Sequence, residues 1–159
     1  MIENLSGQNS LPGSDSGPVD ENIIALSIQQ PWAELILRGI KTIEVRRVAA
    51  RPRGLVYLYT SRRQSRLPGL EELVSRHGIS SAMLPVGQIV GTVEILDCRR
   101  ACPADATAAQ VPPALLKDAF SWFLGNATRL AQPVQPKFVP FGTWFYPWKR
   151  MRTNVRQRR

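Results

Sequence analysis

The stretch ALSIQQPWAELILRGIKTIEVRR, residues 25–47, decides how the chain is read. Ile23 to Ile28 is an apolar run that predicts a buried strand. Pro31 stands where a helix can begin, because the first helical residue needs no N–H partner. Trp32, Leu35 and Ile36 then fall at i, i+3 and i+4, a stripe of helical period that favours Trp32 in the core over a cleft wall. Gly39 ends the helix at the position where a left-handed residue is wanted. From Thr42 to Arg46 the period changes to two, with Ile43 and Val45 alternating with polar residues, so a half-buried strand follows. A tight turn therefore carries Lys41, and the strand after it places Glu44 and Arg46 on one face, close enough to pair.

Such a cation–carboxylate–guanidinium cluster has three uses. It can hold a phosphate, with Glu44 orienting the cations. It can do acid–base or nucleophilic work if Lys41 is desolvated and its pKa falls. It can also be a structural ion-pair network and nothing more. The residues alone leave all three open.

Outward from this stretch, the chain of 159 residues suits one domain, with 43% apolar residues to build a core. Residues 1–22 are rich in Ser, Gly, Pro and Asn, with only acidic side chains among the ionisable ones, and predict a disordered leader. Residues 149–159 hold six cations and no acid, which predicts a basic flexible tail. Gly54 to Thr60 predicts a strand, and Leu70, Leu73 and Val74 a short helix closed by Gly78. Gln88 to Asp97 predicts a long strand, with Gly87 and Gly91 marking a bend or bulge. Residues 103–114 read as a loop and Leu115 to Leu124 as a helix ending at Gly125, with Trp122 packed in the core. Two short strands are expected at Lys137–Phe141 and Thr143–Tyr146. Short strands with inserted helices make the class α+β, with a small, strongly curved or closed sheet.

The formal charge of +9 attracts polyanions. Between Val45 and Leu70 there is no acid, yet Arg46, Arg47, Arg51, Arg53, Arg62, Arg63 and Arg66 all occur. Arginine forks suit phosphate, and Tyr57 and Tyr59 within this field either stack bases or face the core. About five phosphate contacts would give a salt slope near −3.5 on single-stranded RNA. Phosphate attraction does not distinguish the sugars, so DNA is not excluded. With one histidine, His77, and two cysteines, Cys98 and Cys102, no zinc cage, His-based triad or disulfide framework is expected. No P-loop or dinucleotide fingerprint occurs, and no cofactor is expected. No apolar stretch is long enough to span a membrane. No signal peptide is visible, so the expected compartment is the cytoplasm.

The spacing Gly39-x-Lys41-x-x-Glu44-x-Arg46, preceded by Leu26-Ser27-Ile28-x-Gln30-Pro31-Trp32, resembles the opening of an ASCH domain. Gly87-Gln88-Ile89-Val90-Gly91-Thr92-Val93 resembles that family's central strand. Phe120-Ser121-Trp122 and Gly142-Thr143-Trp144 resemble its closing segments. The resemblance covers residues 23–148 and implies a small PUA-like β-barrel with inserted short helices. It implies a cleft beside the barrel that binds RNA or a nucleotide-like ligand, formed here by Gln30, Lys41, Glu44 and Arg46 and flanked by Arg47, Arg62 and Arg63. One branch of the family deacylates N4-acetylcytidine with a Lys, a Thr and a Glu. Lys41 matches its Lys, while Glu44 stands at its Thr position and removes the hydroxyl nucleophile. A metal-independent amidohydrolase or ribonuclease, with Lys41 and Glu44 catalytic, is thus the alternative to a binding protein. A protein-binding adaptor in transcription or translation is the third reading.

Overall fold

The computed structural model describes residues 19–150. Residues 1–18 of the expected leader (1–22) and residues 151–159 of the expected tail (149–159) lie outside the described residues. Six strands form one sheet: β1 (Ala25–Ile28), β2 (Ile43–Arg46), β3 (Gly54–Thr60), β4 (Ile89–Arg100), β5 (Phe120–Val134) and β6 (Trp144–Phe145). The helices are short: α1 (Trp32–Leu37), α2 (Leu70–Arg76) and α3 (Ala106–Ala109). The sheet order is β2-β5-β4-β3-β1-β6, with β1 and β3 parallel and every other pair antiparallel.

The opening stretch folds as its periodicity predicts. Gly39 takes φ +70°, and the N–H groups of Gly39 and Ile40 cap the carbonyls of Ile36 and Leu35. The bend expected near Gly91 is also present. Pairing between β4 and β5 shifts register at Ile89/Gly91, Thr92/Glu94 and Ile95/Asp97, so the two longest strands coil. Their concave side buries Leu26, Ile28, Val56, Leu58, Val93, Ile95, Trp122 and Leu124.

Three expectations fail. Leu115–Leu124 is not a helix. A 3-10 turn over Pro113–Leu116 stops at Asp118, whose φ is +55°, and the chain then enters β5. Pairing with both β2 and β4 outweighs the local apolar pattern, and the aromatic run at 120–123 suits a pleated surface. Residues 103–114 contain a 3-10 turn, α3 and the start of a second 3-10 turn rather than an irregular loop. Lys137–Phe141 forms no strand; Pro136 and Pro140 lack the N–H groups a ladder needs.

The sheet is curled but not closed into a barrel, because β2 and β6 remain its edges. Side chains span the gap. Trp122 of β5 stacks on Trp144 of β6 with centroids 5.5 Å apart. The Arg46 Nη2 group of β2 donates to the Ser27 carbonyl of β1 at 3.1 Å. This seam is where the candidate site lies.

Candidate functional site

Lys41, Glu44 and Arg46 converge as the spacing predicts. The Arg46 Nε donates to Glu44 Oε1 at 2.7 Å, and the Lys41 Nζ lies 3.4 Å from Glu44 Oε2. Their environments differ sharply. The Lys41 side chain is only 2% exposed, whereas that of Arg46 is 30% exposed. Lys41 Nζ also donates to the Ala109 carbonyl of α3 at 2.7 Å and lies 5.0 Å from the Trp32 ring centroid. Burial pushes its pKa below the ordinary lysine value; Glu44 opposes that shift and Arg46 reinforces it.

Two joined cavities meet over this cluster. The smaller, about 250 Å³, has Lys41 and Glu44 on a polar side and Trp32, Leu67, Val111 and Leu115 as apolar walls. The larger, about 790 Å³, follows the seam and is walled by Ser27, Arg46, Ser61, Ser65, Arg66, Gly142 and Thr143. Trp32, Glu44, Val45, Arg46 and Leu67 line both. Trp32 is therefore half core and half cleft wall, which joins the two readings its helical position leaves. Because β2 pairs only with β5, one edge of it carries backbone groups without a strand partner.

Gln30 does not reach the cleft. It is fully buried, its Nε2 donates to the Pro85 carbonyl at 3.1 Å, and its Oε1 accepts the Glu34 N–H at 3.1 Å. Its carbonyl also accepts the Ser65 N–H, so it braces the start of α1 against the 61–67 loop. Beside it, the Glu34 carboxylate grips Arg129 of β5 through both oxygens, at 2.8 and 3.0 Å, and Arg38 at 2.8 Å. Burial would raise the Glu34 pKa, but these two arginines outweigh it and lower it.

The arginine field divides by location. Arg62, Arg63 and Arg66 are exposed around a neighbouring polar hollow that also includes Gln29, Ser65 and the exposed acid Glu71. Arg47 lines the smaller cavity and donates to the Lys117 carbonyl at 3.1 Å. Arg53 turns away, 3.9 Å from Asp97. Tyr57 and Tyr59 are core residues packed edge-on against Trp148 and Phe145, so neither face is open to a base. Trp122 is fully buried, as expected, and its Nε1 donates to the Val48 carbonyl at 3.0 Å. Both cysteines are free. Among the described residues no group of three His, Cys, Asp or Glu is placed to hold a metal ion. No helix among them is long and apolar enough to cross a membrane.

Sequence reasoning missed the clamp behind Lys41. Asp105 accepts two hydrogen bonds from Arg99, at 2.8 and 2.9 Å, one from the Ser121 hydroxyl at 2.7 Å and one from the Cys102 N–H at 3.0 Å. These contacts fix the segment that carries Ala109 over Lys41. The arginine holds the Asp105 carboxyl far below the usual carboxylate range, with Ser121 and Cys102 assisting against burial. The signal was a Pro103-x-Asp105 turn opening a helix, where an acid satisfies free N–H groups.

A curled mixed sheet with a basic seam beside a short N-terminal helix defines the class. The ASCH domain family model matches residues 26–134, and the chain belongs to that family. A crystal structure of ASCH from Zymomonas mobilis is similar at 16% identity and TM-score 0.56, over 82% of this chain and 90% of that one. A point variant of the same Zymomonas mobilis protein aligns at 15% identity and TM-score 0.54, over 79% and 90%. These likenesses establish the fold. No curated protein matches.

Proposed function

We propose that the protein binds RNA, or a nucleotide-like ligand, along the seam between β2 and β1. Membership of the ASCH family supports an RNA-binding or related role in general. The observation that carries the reading to this site is the meeting of Arg46 and Arg66 on one open cleft that no free carboxylate lines. Glu44, the cleft's one acid, is already matched to Lys41 and Arg46. Its volume, about 790 Å³, is enough to hold a nucleotide-sized group. Arg46 spends Nε on Glu44 and one Nη2 hydrogen on Ser27, which leaves Nη1 for a phosphate or base edge. Arg66 is exposed at this cleft, and with Arg62 and Arg63 it extends a positive surface in which Glu71 is the one acid. Lys41 acts from below as a buried charge that holds Glu44, not as a direct contact.

Titration of a labelled single-stranded RNA tests this with Arg66→Ala and with Arg46→Lys, which keeps the charge but loses the fork. Both variants bind more weakly at fixed salt. Arg66→Ala flattens the salt slope, near −3.5 for about five contacts, by about 0.7 and leaves the melting temperature unchanged. Wild-type affinity in both variants would remove the cleft from the RNA site.

The burial of Lys41 beside a carboxylate favours a second reading, a hydrolase of a modified nucleoside or of RNA. A lysine with a lowered pKa in an apolar pocket is a usable nucleophile or base, with Glu44 as the acid–base group. Incubation with N4-acylated cytidines and with labelled RNA decides it. Turnover lost in Lys41→Met, which keeps the packed stem, supports the enzyme. Measurable binding with unchanged substrates returns the first reading.

A further inference from the structure

Phe141 is fully exposed, although the sequence places it in a strand. It sits on a short strap held at both ends by backbone hydrogen bonds. The Phe138 N–H donates to the Pro147 carbonyl at 3.0 Å, and the Thr143 carbonyl accepts the Ser27 N–H at 2.8 Å. Ser27 is also the residue whose carbonyl Arg46 holds. Phe141 is two residues before Thr143, so their Cα atoms lie within about 7.6 Å. Gly142 and Thr143 themselves wall the cleft. At the other end of the strap, Lys137 and Arg150 lie over the Phe138 ring, 5.6 and 5.5 Å from its centroid. The open Phe141 ring thus stands two residues from the cleft wall, on a strap whose other end carries Lys137 and Arg150.

This arrangement matches what an unpaired base needs. Stacking on an aromatic face tolerates any base, and neighbouring cations hold the phosphates. Bases inside a duplex are already stacked on each other and offer no free face. Val139 is the one other strongly exposed large apolar side chain on the strap. We propose that Phe141 is a stacking platform for an unpaired base of an RNA strand whose phosphates follow the cleft, and that it sets a preference for single strands over duplex. The proposal rests on the RNA reading above.

The test is fluorescence anisotropy with three probes: a short oligouridine, the same oligomer with abasic positions, and a blunt-ended RNA duplex. Wild-type protein binds the oligouridine most tightly. Phe141→Ala weakens that binding by about 5- to 150-fold, and leaves the abasic probe unchanged. Phe141→Trp retains the affinity, whereas Phe141→Leu does not. Unchanged oligouridine binding by Phe141→Ala, an equal loss on the abasic probe, or tighter wild-type binding of the duplex overturns the proposal. If Arg66→Ala weakens oligouridine binding while Phe141→Ala does not, stacking alone fails. If the wild type binds none of the probes, the RNA reading fails and stacking falls with it.

Discussion

Asp105 shows how one side chain far from the cleft governs it. Four hydrogen bonds converge on its carboxylate, and the turn they fix carries the carbonyl that accepts Lys41. The folded state holds Asp105 ionised well below the pKa of an unfolded aspartate, near 3.9. A depressed folded pKa gives stability that is fully present above the unfolded value and is lost as pH falls below it. Asp105→Asn is therefore expected to lower stability at neutral pH by about 2 kcal/mol and to flatten the loss of stability below about pH 4. Denaturant melts of both proteins from pH 3 to pH 7 check this, and parallel pH profiles would contradict it. The Lys41–Glu44–Arg46 cluster itself was legible from its spacing, because three residues on one turn and strand have little freedom. The burial of Lys41 was not legible, since its cover, Ala109, is 68 residues away. Gln30 was misplaced for the same reason; its partner Pro85 is 55 residues away.

At the scale of elements, β4 and β5 build the scaffold, and their glycines are not equivalent. A Cβ on Gly91 would collide with the Thr128 carbonyl oxygen and meet Leu37 at 2.6 Å. The first of these is backbone of the paired strand and cannot step aside. A Cβ on Gly125 would meet only the Leu96 side chain, 2.7 Å away, and Leu96 is half-exposed and free to change rotamer. Gly91→Ala is expected to destabilise by about 1–3 kcal/mol, as overpacking does, and Gly125→Ala by much less. Thermal melts compare them directly, and equal melting temperatures would contradict the packing described. Strands β1 to β4 were legible from alternation and apolar runs. Strand β5 was hidden because Leu115, Leu116 and Ala119 imitate a helical face just before it, and the left-handed turn at Asp118 that divides the two has no strong sequence mark.

For the whole molecule, the curl of the sheet matters more than closure. Edges β2 and β6 approach without backbone pairing, and Arg46, Trp122 and Trp144 span the gap. A closed barrel would have consumed the Ser27 carbonyl and the free edge of β2 in a ladder, and left no seam. The sequence resemblance anticipated the family and the curvature. It could not reveal that side chains finish the circuit, because that depends on how two edges distant in the chain meet. The most direct measurement is an amide chemical-shift map of the isotope-labelled protein titrated with oligouridine. The seam account predicts shifts concentrated at Val45 and Arg46, Ser61 to Leu67, and Phe141 to Thr143. Shifts confined to the outer face of β3 and β4 around Leu55 and Leu96, with the seam silent, would contradict it.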